Sequence, residues 1–233
     1  MHTGFYTATM GMLVDQAMID NISNNLANIN STGYKADSMS FESTMRRKIY
    51  RTSMGHKDAF LGTSTNAVVV DRVTPNMAEG SLEKTGGPTD FAINGTGFFA
   101  IKDGEKIAYT RNGSFTLSSK GYLVDKKGRE VLNAALKPIF FKSGAQPAVF
   151  DVENSSYLEK VGNTCFMPTP KSGQFVLKPD SKVLKGYLES SNVNAIKEMV
   201  NMISAYRHYE IAQRVVTTED TLFSNAINVG RAR

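Results

Sequence analysis

The sequence predicts an α+β fold in which paired long N- and C-terminal α-helices, coiled-coil-like, flank a central antiparallel all-β domain. Three observations carry this expectation. Apolar residues recur at helical spacing across residues 5–29 and again across 192–229. The stretch between them holds short apolar or alternating runs punctuated by Asn-Gly, Asp-Gly and Lys-Gly pairs. Neither end segment contains a proline, and the second contains no glycine.

The first helix rests on Phe5, Met12, Ile19 and Leu26, which recur every seven residues, with Ala8, Ile22 and Ile29 three positions beyond members of that series. Together they form a 3–4 seam broken once, at Asp15. Asn28, Asn30, Ser31 and Gly33 then stop it with residues that favour turns and left-handed backbone. Residues 35–80 show little periodicity and are rich in Ser, Thr, Met and charge; only Ala67-Val68-Val69-Val70 is firmly strand-like. An extended connector, open to a long hairpin, is expected there.

From Leu82 onward the strand signal is strong. Phe91-Ala92-Ile93, Phe98-Phe99-Ala100-Ile101, Ile107-Ala108-Tyr109-Thr110, Ser114-Phe115-Thr116-Leu117 and Tyr122-Leu123-Val124 are strand-length runs. Asn94-Gly95, Asp103-Gly104, Asn112-Gly113, Lys120-Gly121 and Lys127-Gly128 separate them, which predicts a meander of tight hairpins with positive φ at the glycines. Weaker strands follow over 137–141, 148–152 and 175–177, before the chain returns over 183–188. The last helix has N-cap candidates in Ser190, Ser191 and Asn192. Its seam is Ala195, Met199, Met202, Tyr206, Tyr209, Val216, Phe223 and Ile227, broken at Gln213 and Asp220. The expected organisation is a terminal helical assembly domain (1–34 plus 189–233), a connector (35–80) and a central β domain (81–188).

Helices at the two ends of one chain that pair within it run antiparallel. With Met12 opposite Val216, Phe5 meets Phe223, Ile19 meets Tyr209, Ile22 meets Tyr206, Leu26 meets Met202 and Ile29 meets Met199. The polar break Asp15 then falls opposite Gln213, and a shared polar layer is a known way to fix coiled-coil register. These fourteen residues, with Ile227, are the expected assembly interface.

Composition excludes several function classes. The 233 residues are 41% hydrophobic and 21% charged, ordinary for a globular protein. Cys165 is the only cysteine, so neither an intrachain disulfide nor a Cys-rich metal site is available. Net charge is +5, and the basic run Arg46-Arg47-Lys48 with Arg51 has no nucleic-acid motif around it, so it is read as a solvated stretch. His2, His56 and His208 are far apart and lack metal-ligand spacing. Gly95-Thr96-Gly97 precedes a strand instead of opening a helix, so it is no phosphate cradle. No enzyme, cofactor or metal is expected. The N-terminal stretch has no charged, apolar and cleavage regions of a signal peptide, and no run approaches the ~18 apolar residues of a membrane span.

Three motifs resemble one family. Ser23-Asn24-Asn25-Leu26-Ala27-Asn28, with Thr32-Gly33-Tyr34-Lys35 and Phe41, is similar to the N-terminal signature of bacterial flagellar rod and hook proteins. Phe91-Ala92-Ile93-Asn94-Gly95-Thr96-Gly97-Phe98-Phe99, Tyr109-Thr110-Arg111-Asn112-Gly113-Ser114-Phe115 and Gly121-Tyr122-Leu123-Val124 resemble its central motif. Residues 186–194, Met199 and Arg207-His208-Tyr209-Glu210 resemble its C-terminal signature. The resemblance implies a structural subunit of the basal-body rod, exported through the flagellar type III apparatus without a cleaved signal, crossing the periplasm and transmitting torque. Its partners would be copies of itself and other axial proteins, with no nucleic acid. Proximal and distal rod types both stay open, the short region after Asn133 favouring the proximal. A hook-type axial protein, a glycan-binding β module oligomerised by its helices, and a type III chaperone are the alternatives.

Overall fold

The computed structural model describes residues 2–51, 59–179 and 181–231. Residues 52–58, in the middle of the expected connector and including His56, lie outside the described residues, as do the side chains of the basic run at 46–51. The chain forms two compact units. One holds α1 as far as Asn24, residues 39–73, and α2 from Ile196; the other holds residues 25–38 and 74–195.

In the first unit, α1 (His2–Ala27) and α2 (Ala195–Arg231) are the two expected helices. At 37 residues, α2 is ~55 Å long. Thr9 and Ser23 hydroxyls in α1 donate to the carbonyls of Phe5 and Ile19, 2.9 and 2.7 Å away, which satisfies them inside a helix. Glu198 places a carboxylate in the first turn of α2, where the helix dipole favours it. β1 (Asp37–Arg51) and β2 (Ala59–Pro75) pair as a two-stranded sheet.

The second unit is β-rich. β3 (Leu82–Lys84), β4 (Phe91–Asn94), β5 (Phe98–Asp103), β6 (Lys106–Thr110), β7 (Thr116–Leu117) and β8 (Leu123–Val124) are followed by β9 (Val149–Asp151), β10 (Glu159–Val161), β11 (Cys165–Met167), β12 (Val176–Leu177), β13 (Lys182–Lys185) and β14 (Tyr187–Glu189). The largest sheet is six-stranded in the order β10-β11-β6-β5-β9-β12, and every pairing in it is antiparallel. Phe98-Phe99-Ala100-Ile101 explains how the sheet is covered. Side chains alternate along a strand, so an unbroken apolar run must be buried on both faces. Phe99 and Ile101 join one core with Phe91, Phe115, Leu123 and Ile139, while Phe98 and Ala100 join another with Tyr109, Phe150 and Phe166. On the second side the Tyr109 ring stacks on Phe175 at 3.5 Å.

Two expectations are corrected here. The sheet is not a meander: only β5–β6 and β10–β11 are neighbours both in sequence and in the sheet. Nor are all five glycine pairs tight hairpins. Asp103-Gly104 joins β5 to β6, Lys120-Gly121 lies between the paired β7 and β8, and Lys127-Gly128 turns the chain back to the Val124–Glu130 bridge. Asn94-Gly95 does not join paired strands, because β4 pairs with β13 instead of β5. Asn112-Gly113 is not a hairpin either, and Gly113 lacks the positive φ that Gly95 has, at 107°. Gly113 is needed for space: a side chain there would run into the Phe91 carbonyl. β10 and β11, three residues each, were not foreseen.

Candidate functional site

The sequence offered the terminal helices as the working surface. Gly4 of α1 lies against the Glu219 side chain, and Asp15 shares a groove with His208, so α1 and α2 run antiparallel along each other. That groove is about 700 Å³ and is walled by Gly4, Ala8 and Gly11 on one side and Ala212 and Val215 on the other. Burial raises the Asp15 carboxyl above its ordinary value, and His208 partly offsets this. Within the subunit Asp15 thus lines the same groove as His208, while Gln213 is exposed.

The inward stripe of α2 differs from the expected seam by a rotation. Ala195, Glu198, Met202, Ala205, Tyr209, Ala212, Val216 and Glu219 are the less exposed positions, a strict 3–4 pattern, with Ala205 only 2% exposed. Met202, Tyr209 and Val216 are among these less exposed positions. Met199, Tyr206, Phe223 and Ile227 are exposed. Small residues at Ala205 and Ala212 occupy the inward positions, a signal masked in the sequence by larger neighbours such as Tyr206. On α1, Ile19 and Ile22 are buried, Met12 and Leu26 are half-buried and Phe5 is exposed; Ile29, in the turn that follows, is half-buried. Several large apolar side chains of α2 nevertheless stay open among its polar residues: Ile196, Val200, Ile203, Ile211 and Leu222 are exposed, Ile196 at 77%.

The second unit holds an arrangement that periodicity could not reveal. Glu189, at the end of β14, is buried, and both carboxylate oxygens are used. One accepts from the Lys35 ammonium at 2.7 Å and the Gly80 N–H at 3.0 Å; the other accepts from the Arg111 guanidinium at 3.3 Å. Lys35 also donates to the Ala78 carbonyl at 2.7 Å, and Arg111 to the Gly95 carbonyl at 2.8 Å. Burial pulls the Lys35 ammonium below its ordinary value, with Glu189 opposing the shift. The backbone closes around the cluster: the Gly33 N–H donates to the Glu189 carbonyl at 2.7 Å. Gly33 has a φ of 65° and no room for a side chain against the backbone of Arg111 and Asn112.

Asparagines tie the flanking chain to the same place. The Asn25 amide, in the last turn of α1, donates to the Asp37 carbonyl at 3.0 Å and accepts from its N–H at 2.8 Å, as a strand partner would. The Tyr34 hydroxyl donates to the same Asn25 oxygen at 3.1 Å. Asn192 was expected as an N-cap of α2. It instead accepts from the Ala36 N–H and donates to the carbonyls of Asn76 and Ala78, and the helix begins three residues later at Ala195. So Thr32-Gly33-Tyr34-Lys35, Arg111-Asn112-Gly113 and the stretch from Gly186 to Asn192, far apart in sequence, meet at one buried carboxylate.

Comparison with known proteins gives the same three regions. Residues 5–35 match the family described as flagella basal body rod protein, residues 92–153 the flagellar hook protein FlgE/F/G D1 domain, and residues 184–229 the flagellar basal body rod FlgEFG protein C-terminal region. The flagellar basal-body rod protein FlgG of Buchnera aphidicola subsp. Acyrthosiphon pisum is 30% identical, with 95% of this chain and 97% of that protein covered. The chain belongs to the flagellar basal-body rod protein family. Relatives in the family span distant bacteria: FlgG of Borreliella burgdorferi is 31% identical over 99% of this chain and all of its own length, and FlgF of Rhizobium meliloti is 29% identical over 97% of each. The Glu189 cluster draws one residue or more from the N-terminal match, the D1 match and the C-terminal match of this rod-family chain.

Proposed function

We propose that the chain is a structural subunit of the bacterial flagellar basal-body rod, joining copies of itself and other axial proteins through faces of its terminal helices. The observation that carries this reading is α2. One stripe faces the groove it shares with α1, yet Ile196, Val200, Ile203 and Leu222, none of which lines that groove, stay exposed. A helix that is apolar well beyond one stripe needs more neighbours than its own fold supplies. Each such side chain buried against a neighbouring subunit contributes ~1.5–3 kcal/mol. Head-to-tail contacts that do not close on themselves give a helical tube, the form a shaft requires. In the assembled tube the two terminal helices pair as a coiled coil.

Rod is favoured over hook because the relatives matched along nearly their whole length are named rod proteins, although the D1 family takes in hook proteins too. The subunit travels through the flagellar type III apparatus and acts in the basal body, with no catalytic step. The test is a strain lacking the gene. It should be non-motile, with basal bodies that stop short of a complete rod, and the wild-type chain supplied in trans should be recovered in purified basal bodies. Intact rods in that strain would refute the reading.

A further inference from the structure

We propose that Glu189 is a positioning residue for assembly: its buried carboxylate fixes the chain leaving α1 and the chain approaching α2 to one point of the β region. The proposal rests on the rod-subunit reading above. Glu189 ends the last strand before α2, and Lys35 lies on the link between α1 and β1. Their Nζ–Oε1 contact of 2.7 Å joins residues 154 positions apart, and Arg111, just after β6, holds the other oxygen. The two links are also laced together, by the Gly33 N–H on the Glu189 carbonyl and the Ala36 N–H on the Asn192 side chain.

The chemistry is a poor choice for stability alone. Two cations share one carboxylate, and the three side chains are 1–3% exposed. Burying ions costs free energy that their mutual attraction often fails to repay, and apolar residues of similar size commonly do as well or better. What the ions supply is direction. Lys35 is satisfied only between Glu189 and the Ala78 carbonyl, and Arg111 bridges Glu189 and the Gly95 carbonyl. An apolar trio would tolerate a slip of either link, whereas this one leaves a buried charge unpaired if either link moves. A subunit that must present two helices to many identical neighbours needs one such arrangement, repeated in every copy.

The test separates positioning from stability. Lys35→Met, Arg111→Met and Glu189→Leu are combined in the full chain and supplied to the strain lacking the gene. The purified triple variant should unfold cooperatively at or above the wild-type midpoint, while cells stay non-motile and basal bodies contain little of it. Normal rods from the triple variant would overturn the proposal and leave the rod reading intact; absence of the wild-type chain from basal bodies would overturn the reading itself. Glu189→Gln, followed by amide hydrogen exchange, keeps the matter decidable where the triple variant does not fold. Faster exchange should be confined to Gly33, Ala36 and Gly80. Loss of protection extending to Ile101 and Phe166 in the six-stranded sheet, or failure to fold, would make Glu189 a plain stability residue and sink the idea.

Discussion

Gly95 and Gly113 both follow asparagine, and the sequence treats them alike; the structure gives them different work. Gly95 has a φ of 107° with open space around it, so a methyl group there costs backbone strain, about 1 kcal/mol. Gly113 sits on the Phe91 carbonyl, whose strand residue donates to the Gly113 carbonyl at 3.1 Å. Gly113→Ala must push that contact apart and is expected to cost at least ~2 kcal/mol, more than Gly95→Ala, in chemical denaturation. Equal costs would mean the Phe91 contact is not made. Asn25 is a parallel case. Its motif marks the end of a helix in the sequence, yet the side chain is 2% exposed and works as a surrogate strand for Asp37. Asn25→Ala leaves the Asp37 N–H without its acceptor and should destabilise the second unit by about 1–3 kcal/mol; Asn25→Asp, which can accept but not donate, should recover only part of that.

At the scale of elements, the helices were legible as helices and their facing was not. Heptad counting weights large side chains, so it placed Met199 and Tyr206 inward, where the fold uses Glu198 and Ala205. Two neighbouring substitutions on α2 should therefore behave oppositely. Ala205→Leu overfills a buried position and should lower subunit stability by ~1–3 kcal/mol. Ile203→Lys, at an exposed position, should leave the melting midpoint of the monomer unchanged and abolish motility. The reverse pattern would place the inward stripe on the wrong side. Asp15 adds a pH signature. Its carboxyl is raised in the folded chain by burial, against the opposing influence of His208. The folded state then binds the proton more tightly than the unfolded one, so this contribution to stability is fully present below 3.8 and is lost as pH rises through the raised value. Against that background, Asp15→Asn should gain helical stability over wild type as pH rises through that window, read by circular dichroism of both proteins side by side. A constant difference across the window would deny the burial.

At the scale of the whole chain, what the sequence made legible was local. Strands β4 to β8 could be read because each lies in a run of aromatic and branched residues; β10 and β11 could not, being three residues each, β10 with Glu159 and Lys160 among its three. Strand order was hidden for the same reason that Glu189 was: a pairing such as β4 with β13, or Lys35 with Glu189, leaves no periodic trace in either partner. The domain limits drawn from composition put Tyr34 at the end of a helical segment, but residues 25–38 are an integral part of the β-rich unit, with Tyr34 and Lys35 each 1% exposed there. This has a direct consequence for dissection of the protein. A fragment spanning 74–195 leaves Glu189 and Arg111 buried without Lys35 and removes the Tyr34 ring, whose burial is worth ~1.5–3 kcal/mol. A fragment spanning 25–195 keeps both. The shorter fragment should therefore melt on the order of 10 °C lower, given a few degrees per kcal/mol for a unit of this size. Because the missing piece is a contiguous segment, a synthetic peptide of residues 25–38 should bind the shorter fragment and stabilise it in a concentration-dependent way, by about 2.7 kcal/mol at a hundredfold excess over Kd, raising its midpoint accordingly. A Lys35→Met peptide should do so more weakly. Equal midpoints for the two fragments, with no response to peptide, would show that the N-terminal link is not part of the folded β region.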